Sequence, residues 1–263
     1  MARATLSLGI TGGLIGSIAA IIGVIWCLYS TIFLMEYSHY TVDILIYTFY
    51  FGGAMIPVGD YTIFVASNVY PLLPIHSASA SLSMWTMILG IFLVASGVLI
   101  GTGFFGMYRA SGSSMGVVGL ITSIVGSSVG SLLIYLGVIS QQLQILYSTT
   151  YFFFIFIIPI LYFVQHILIP NFLYIWLGLT VLGVSFILLG VCTISLSKHT
   201  GNVWASKAAG ILSIIGGVLL FPYILVWFRV ADTVGSAIAL IGFLVILITF
   251  ILWAAVYYSS RNK

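Results

Sequence analysis

Few side chains in this sequence can do chemistry. Its 263 residues hold four histidines, two cysteines, seven lysines and arginines, and four acids. Three of the histidines, His39, His76 and His166, fall between the most apolar runs, and Glu36 stands three residues before His39. Di-metal carboxylate bundles use such a Glu-x-x-His pair twice, with further glutamates. Glu36 is the chain's sole glutamate, so that reading fails. Imidazole also suits mononuclear copper or zinc, and histidines facing each other at one depth can hold haem. The spacings match no ligand signature, which leaves ordinary interfacial histidines as the expectation. No metal or cofactor is predicted; His39, His76 and His166 are the candidates should copper, haem or quinone be bound.

Other reactive constellations are weaker still. Arg229 and Asp232, three apart, fit a local ion pair fastening a tight turn, with anion binding by Arg229 as the alternative. No Walker, Rossmann, zincin or nucleophile-elbow pattern occurs in usable form. Serine-glycine pieces such as Ala110-Ser-Gly-Ser-Ser114 read as turn chemistry without a base partner. Catalytic residues are therefore expected to be absent, and the chain is read as a non-enzyme.

The elements that would position these residues are membrane helices. The chain is 62% hydrophobic and 4% charged, with a mean hydropathy of +1.28. A soluble domain is about one-quarter charged. Seven basic side chains are too few for a nucleic-acid surface. The apolar runs predict six spans over 8–34, 84–108, 115–139, 172–196, 207–228 and 236–258 in one integral membrane domain. The first run is too long for a secretory leader and reads as a retained helix. Cys27 and Cys192 fall in different spans, toward opposite membrane faces, which argues against a disulfide.

Sidedness follows from the basic residues beside the spans. Arg3, Arg109, Lys198, Lys207, Arg261 and Lys263 gather on one side; Arg229 and all four acids gather on the other. Both termini are therefore expected in the cytoplasm of a cell-membrane protein. Two long connections, 35–83 and 140–171, would lie outside. Within them 42–57 and 151–170 are apolar enough to raise an eight-span variant. Gly52-Gly53, Pro57 and Pro159 favour short strands or re-entrant or interfacial helices instead.

One motif recurs. Gly119-Leu-Ile-Thr-Ser-Ile-Val-Gly-Ser-Ser-Val-Gly130 aligns on Ser123 with segments around Ser17 and Ser213. Gly13, Gly119 and Ala209 then stand four residues earlier, and Ala20, Gly126 and Gly216 three residues later. Small residues at these spacings share one helical face, which in a bilayer lets backbones approach closely. Gly13, Ser17, Gly119, Ser123, Gly126, Gly130, Ser213 and Gly216 are thus predicted helix-packing positions. The chain reads as an all-α, six-helix bundle of three parallel hairpins, about 1–114, 115–206 and 207–263, an internal repeat with variable outer connections.

Span interiors without ionisable residues argue against an ion-coupled pump. The outer connections are rich in tyrosine and poor in charge, as an interface would be. The function expected is an accessory or scaffolding subunit whose partners are the bilayer and other membrane subunits or further copies of itself, with no nucleic acid. The first alternative is a passive channel or transporter for a small neutral solute, lined by Ser123, Ser127, Ser128 and Ser131. A redox subunit holding haem or quinone at the outer histidines comes third.

Overall fold

The structure, a computed structural model, describes the backbone of residues 2–51, 54–58, 61–65, 74–140, 142–149, 162–169, 171–224 and 232–261, and the side chains of 3–31, 82–140, 171–224 and 234–261. Six helices carry the architecture: α1 (Ala2–Phe51), α2 (Pro74–Ser111), α3 (Met115–Ile139), α4 (Phe172–Leu196), α5 (Val203–Val218) and α6 (Asp232–Arg261). Each contains an apolar stretch long enough to cross a membrane, α5 together with the turn that carries it on to Tyr223, so the protein is a multi-pass membrane bundle. Between α1 and α2 the backbone pairs β1 (Ala54–Val58) with β2 (Tyr61–Val65). Between α3 and α4 it pairs β3 (Gln142–Thr149) with β4 (Tyr162–Ile169), both pairs antiparallel.

α3 and α4 coincide with the apolar runs that predict them. α1 and α2 are longer than predicted, because hydropathy marks only the part that lipid can surround, here Arg3–Thr31 and Leu82–Ser111. The fifth helix is shifted rather than lengthened. Predicted over 207–228, it begins at Val203, where the Asn202 side chain accepts from the Ala205 N–H and caps the first turn. It ends at Val218, and a single 3-10 turn, Phe221–Tyr223, follows with Pro222 near its start. Proline lacks the N–H that would continue an α-helix. Trp227 and the 151–161 stretch lie outside the described residues.

Helices adjacent in sequence are adjacent in space, and α6 closes the ring against α1. The middle of the ring is filled. Phe104 of α2, Phe186 of α4 and Phe250, Trp253 and Tyr257 of α6 form a connected set of rings with centroids 5.6–6.2 Å apart. All five are buried.

The odd-numbered helices supply the space for them. A Cβ at Gly16 would lie 2.4 Å from the Phe250 ring, one at Gly23 would meet Phe243, and one at Gly119 would lie 2.5 Å from the Phe104 ring. Large side chains of the even helices thus enter hollows left by glycines of the odd ones. Lipid tails are as apolar as leucine, so this van der Waals fit supplies much of the association energy that hydrophobicity supplies in water.

Candidate functional site

The aligned serines reach different partners. Ser123 Oγ donates to the carbonyl of Gly97 in α2 at 2.7 Å, and Ser213 Oγ to the carbonyl of Phe186 in α4 at 2.6 Å. Each ties an odd helix to the one before it. Ser17 Oγ instead donates to the carbonyl of Gly13 within its own helix at 2.9 Å. The glycines around them face neighbouring helices. Gly13 abuts Phe250 O and Ala254 of α6; Gly119 abuts Phe104 of α2. Gly126 and Gly130 abut Ser185 and Leu182 of α4, and Gly216 abuts Ile246 of α6. The α3 motif therefore presents one face to two partners, meeting α2 near its start and α4 further along.

One close helix contact joins glycines that the predicted packing positions do not include. Gly183 and Gly190 of α4 oppose Gly217 and Gly210 of α5, each with room for its partner's carbonyl and none for a methyl: the ideal Cβ to carbonyl distances are 2.5–2.7 Å. Both pairs repeat at seven residues on each helix. That heptad spacing was readable in the sequence, but which helix opposed which was not.

Four serines converge on one cavity. Ser96, Ser123, Ser127 and Ser185 line it together with Phe186, Phe250 and Trp253, and its volume is about 20 Å³. One water would fill it. Each serine proton is committed to a main-chain carbonyl, of Leu93, Gly97, Ile124 and Val181 respectively. Phe186, Phe250 and Trp253 of the aromatic centre form one wall of the cavity that Ser123 and Ser127 border. Ser128 is half-buried, and Ser131 is buried with its hydroxyl unpartnered.

Two buried polar layers span the helices. In the first, Trp26 Nε1 donates to Thr86 Oγ1 at 2.7 Å, Ser30 pairs with the Tyr223 hydroxyl at 2.9 Å, and Thr31 pairs with Ser236 at 2.8 Å, joining α1 to α2, to the turn after α5 and to α6. In the second, Trp253 Nε1 donates to Thr193 Oγ1 at 3.1 Å and Tyr257 OH to the carbonyl of Ile100 at 3.3 Å. In both, the threonine passes its own proton to the carbonyl four residues earlier, Leu82 or Leu189. These bonds fasten helices to one another. Cys27 and Cys192 are buried free thiols in different helices.

The described cations occupy one end. Arg3 opens the α1 span, Arg109 closes α2 over the Phe105 ring at 4.7 Å, Lys198 and His199 sit after α4, Lys207 lies in α5, and Arg261 ends α6. The histidine candidates belong elsewhere: His39 on α1, His76 on α2 and His166 on β4, their side chains outside the described residues. Arg229 is outside them too. Asp232 is the first residue of α6, its side chain likewise undescribed, so the predicted ion pair lies beyond the described residues. Among the described residues no three His, Cys, Asp or Glu side chains cluster as metal ligands would. Compared with protein-family models, curated proteins and solved structures, the chain matches none.

Proposed function

We propose that this protein is a non-catalytic accessory or scaffolding subunit of a larger complex in the cell membrane, with both termini cytoplasmic and the connections 35–83 and 140–171 as the docking surface. The observation that carries this reading is the filled centre. Phe104, Phe186, Phe250, Trp253 and Tyr257 occupy the axis where a permeation path between the hairpins would run. The hydroxyls proposed to line such a path are engaged with backbone at Ser123 and Ser127. This favours a rigid body that presents its ends over a conduit. The same reading takes the chain as one hairpin used three times, supported by Ser123 and Ser213 each bonding a carbonyl of the preceding helix.

The test is purification in mild detergent after crosslinking through photoreactive residues placed at 35–83 and 140–171. A defined protein neighbour, or a defined self-assembly, is the expected outcome. A lone monomer with no crosslinked neighbour would remove the proposal. The reading includes no resident haem, quinone or copper, so the purified protein should absorb only as its tryptophans and tyrosines do; a visible haem band would replace it with the redox reading.

A further inference from the structure

We propose that the turn between α4 and α5, with the first turns of α5, is a site for the headgroup of an anionic phospholipid, held by Lys198 and Lys207 and anchored by Trp204. Every group needed is at the surface. Lys198, His199 and Lys207 are exposed, and Trp204 is 76% exposed, the most open of the large apolar side chains described. A wholly exposed indole at the end of a membrane helix belongs at the headgroup level, where its ring is apolar and its N–H is wet.

The turn beneath is fixed rather than loose. The Asn202 side chain caps the Ala205 N–H at 3.0 Å, and Thr200 Oγ1 donates to Ser197 O at 2.7 Å. Gly201 N–H donates to Ser260 Oγ at 3.4 Å, and the Gly201 backbone packs so closely on Ser259 of α6 that a Cβ would reach 2.3 Å from its carbonyl oxygen. Cations held on a pre-ordered turn lose less entropy on binding than those on a mobile tail. The same contact brings Arg261, next to Ser260, to this edge of the bundle.

A lipid fits better than a free anion because of what lies below. Trp204, Lys207, Ile211, Ile215 and Val218 are exposed on one stripe of α5, at spacings of three and four. The opposite face, Ala205, Ala209, Gly210, Ser213 and Gly217, is buried against the bundle. The stripe from Ile211 to Val218 rises about 10 Å, enough to lie along part of an acyl chain, while the Lys207 ammonium can extend toward the phosphate. The charge pattern agrees. Asp232, the acid at the start of α6, is separated from Arg261 by the whole of that helix, roughly 43 Å.

The experiment is native mass spectrometry of the full chain in mild detergent with equal phosphatidylglycerol and phosphatidylcholine. Wild type should retain phosphatidylglycerol preferentially, and each of Lys198→Gln and Lys207→Gln should cut that preference by about fivefold, the effect of one basic residue at an anionic surface. Arg3→Gln, at the same end of the bundle on α1, should leave it unchanged. Brominated phosphatidylglycerol should quench wild-type fluorescence more than that of Trp204→Phe, a comparison that does not depend on the lysine variants folding. Equal retention of the two lipids, or an Arg3→Gln effect as large as that of the lysines, would overturn the site. So would full displacement of the lipid by millimolar inorganic phosphate, which would mark a soluble anion as the ligand.

Discussion

Glycine-to-alanine substitutions separate close approach from simple lack of a side chain. At Gly190 a Cβ would stand 2.5 Å from the Gly210 carbonyl oxygen, a backbone atom that cannot rotate away. Gly190→Ala should destabilise the protein by about 1–3 kcal/mol, the usual cost of overpacking. At Gly90 the nearest atom, Ser131 Cβ, would be 3.7 Å away, an ordinary contact. Gly90→Ala should be neutral or stabilising by up to about 1 kcal/mol, since alanine favours the helix. Gly112 is a third kind: nothing stands within 4 Å, but its φ of +70° ends α2 in a conformation that costs an L-residue roughly 1–2 kcal/mol. Thermal unfolding of the three variants in one detergent should find Gly90→Ala melting highest, with Gly190→Ala and Gly112→Ala below it. The sequence marks all three as glycines and says nothing of which is crowded, because crowding is a property of the helix opposite.

Helices are joined by buried bonds that neither hydropathy nor motif spacing reveals. Trp26 to Thr86 and Trp253 to Thr193 are each an indole N–H on a threonine that already donates within its own helix. Removing the indole donor leaves the threonine proton satisfied, so the loss measures the interhelical bond with little penalty from an orphaned group. A double-mutant cycle of Trp253→Phe with Thr193→Val should show a coupling of about 1 kcal/mol, within the range for interhelical hydrogen bonds in bilayers. A coupling near zero in thermal or chemical unfolding would mean the two helices are held by shape alone. By their places near predicted inner helix ends Trp204 and Trp253 read in the sequence as interfacial tryptophans, whereas Trp253 is buried, as is Trp26 deeper in its span. Trp204 is exposed: the Asn202 cap starts α5 four residues earlier than the apolar run suggests and leaves the indole in the open first turn.

At the scale of the whole molecule, the cations define the ends. In a variant with Cys27 and Cys192 replaced by serine, a cysteine at Lys198 and one at Arg229 should react with an impermeant maleimide from opposite sides of sealed vesicles. Labelling of both from one side would break the six-span topology. In the native chain Cys27 and Cys192 should react only after unfolding, since both are buried.

The sequence by itself determined that the chain is a membrane bundle, where the six apolar helices among the described residues fall and where α3 and α4 begin and end, because hydropathy is a local property that a helix in lipid must satisfy along its own length. It also marked which positions are small. Only the tertiary structure decided what fills the space those positions leave: Phe104 over Gly119, Phe250 over Gly16 and the opposed pairs of α4 and α5. The physical reason is that lipid surrounds all six helices alike. Their order around the ring rests on short-range fit between groups far apart in sequence, such as the Tyr257 hydroxyl and the Ile100 carbonyl, which no local pattern records.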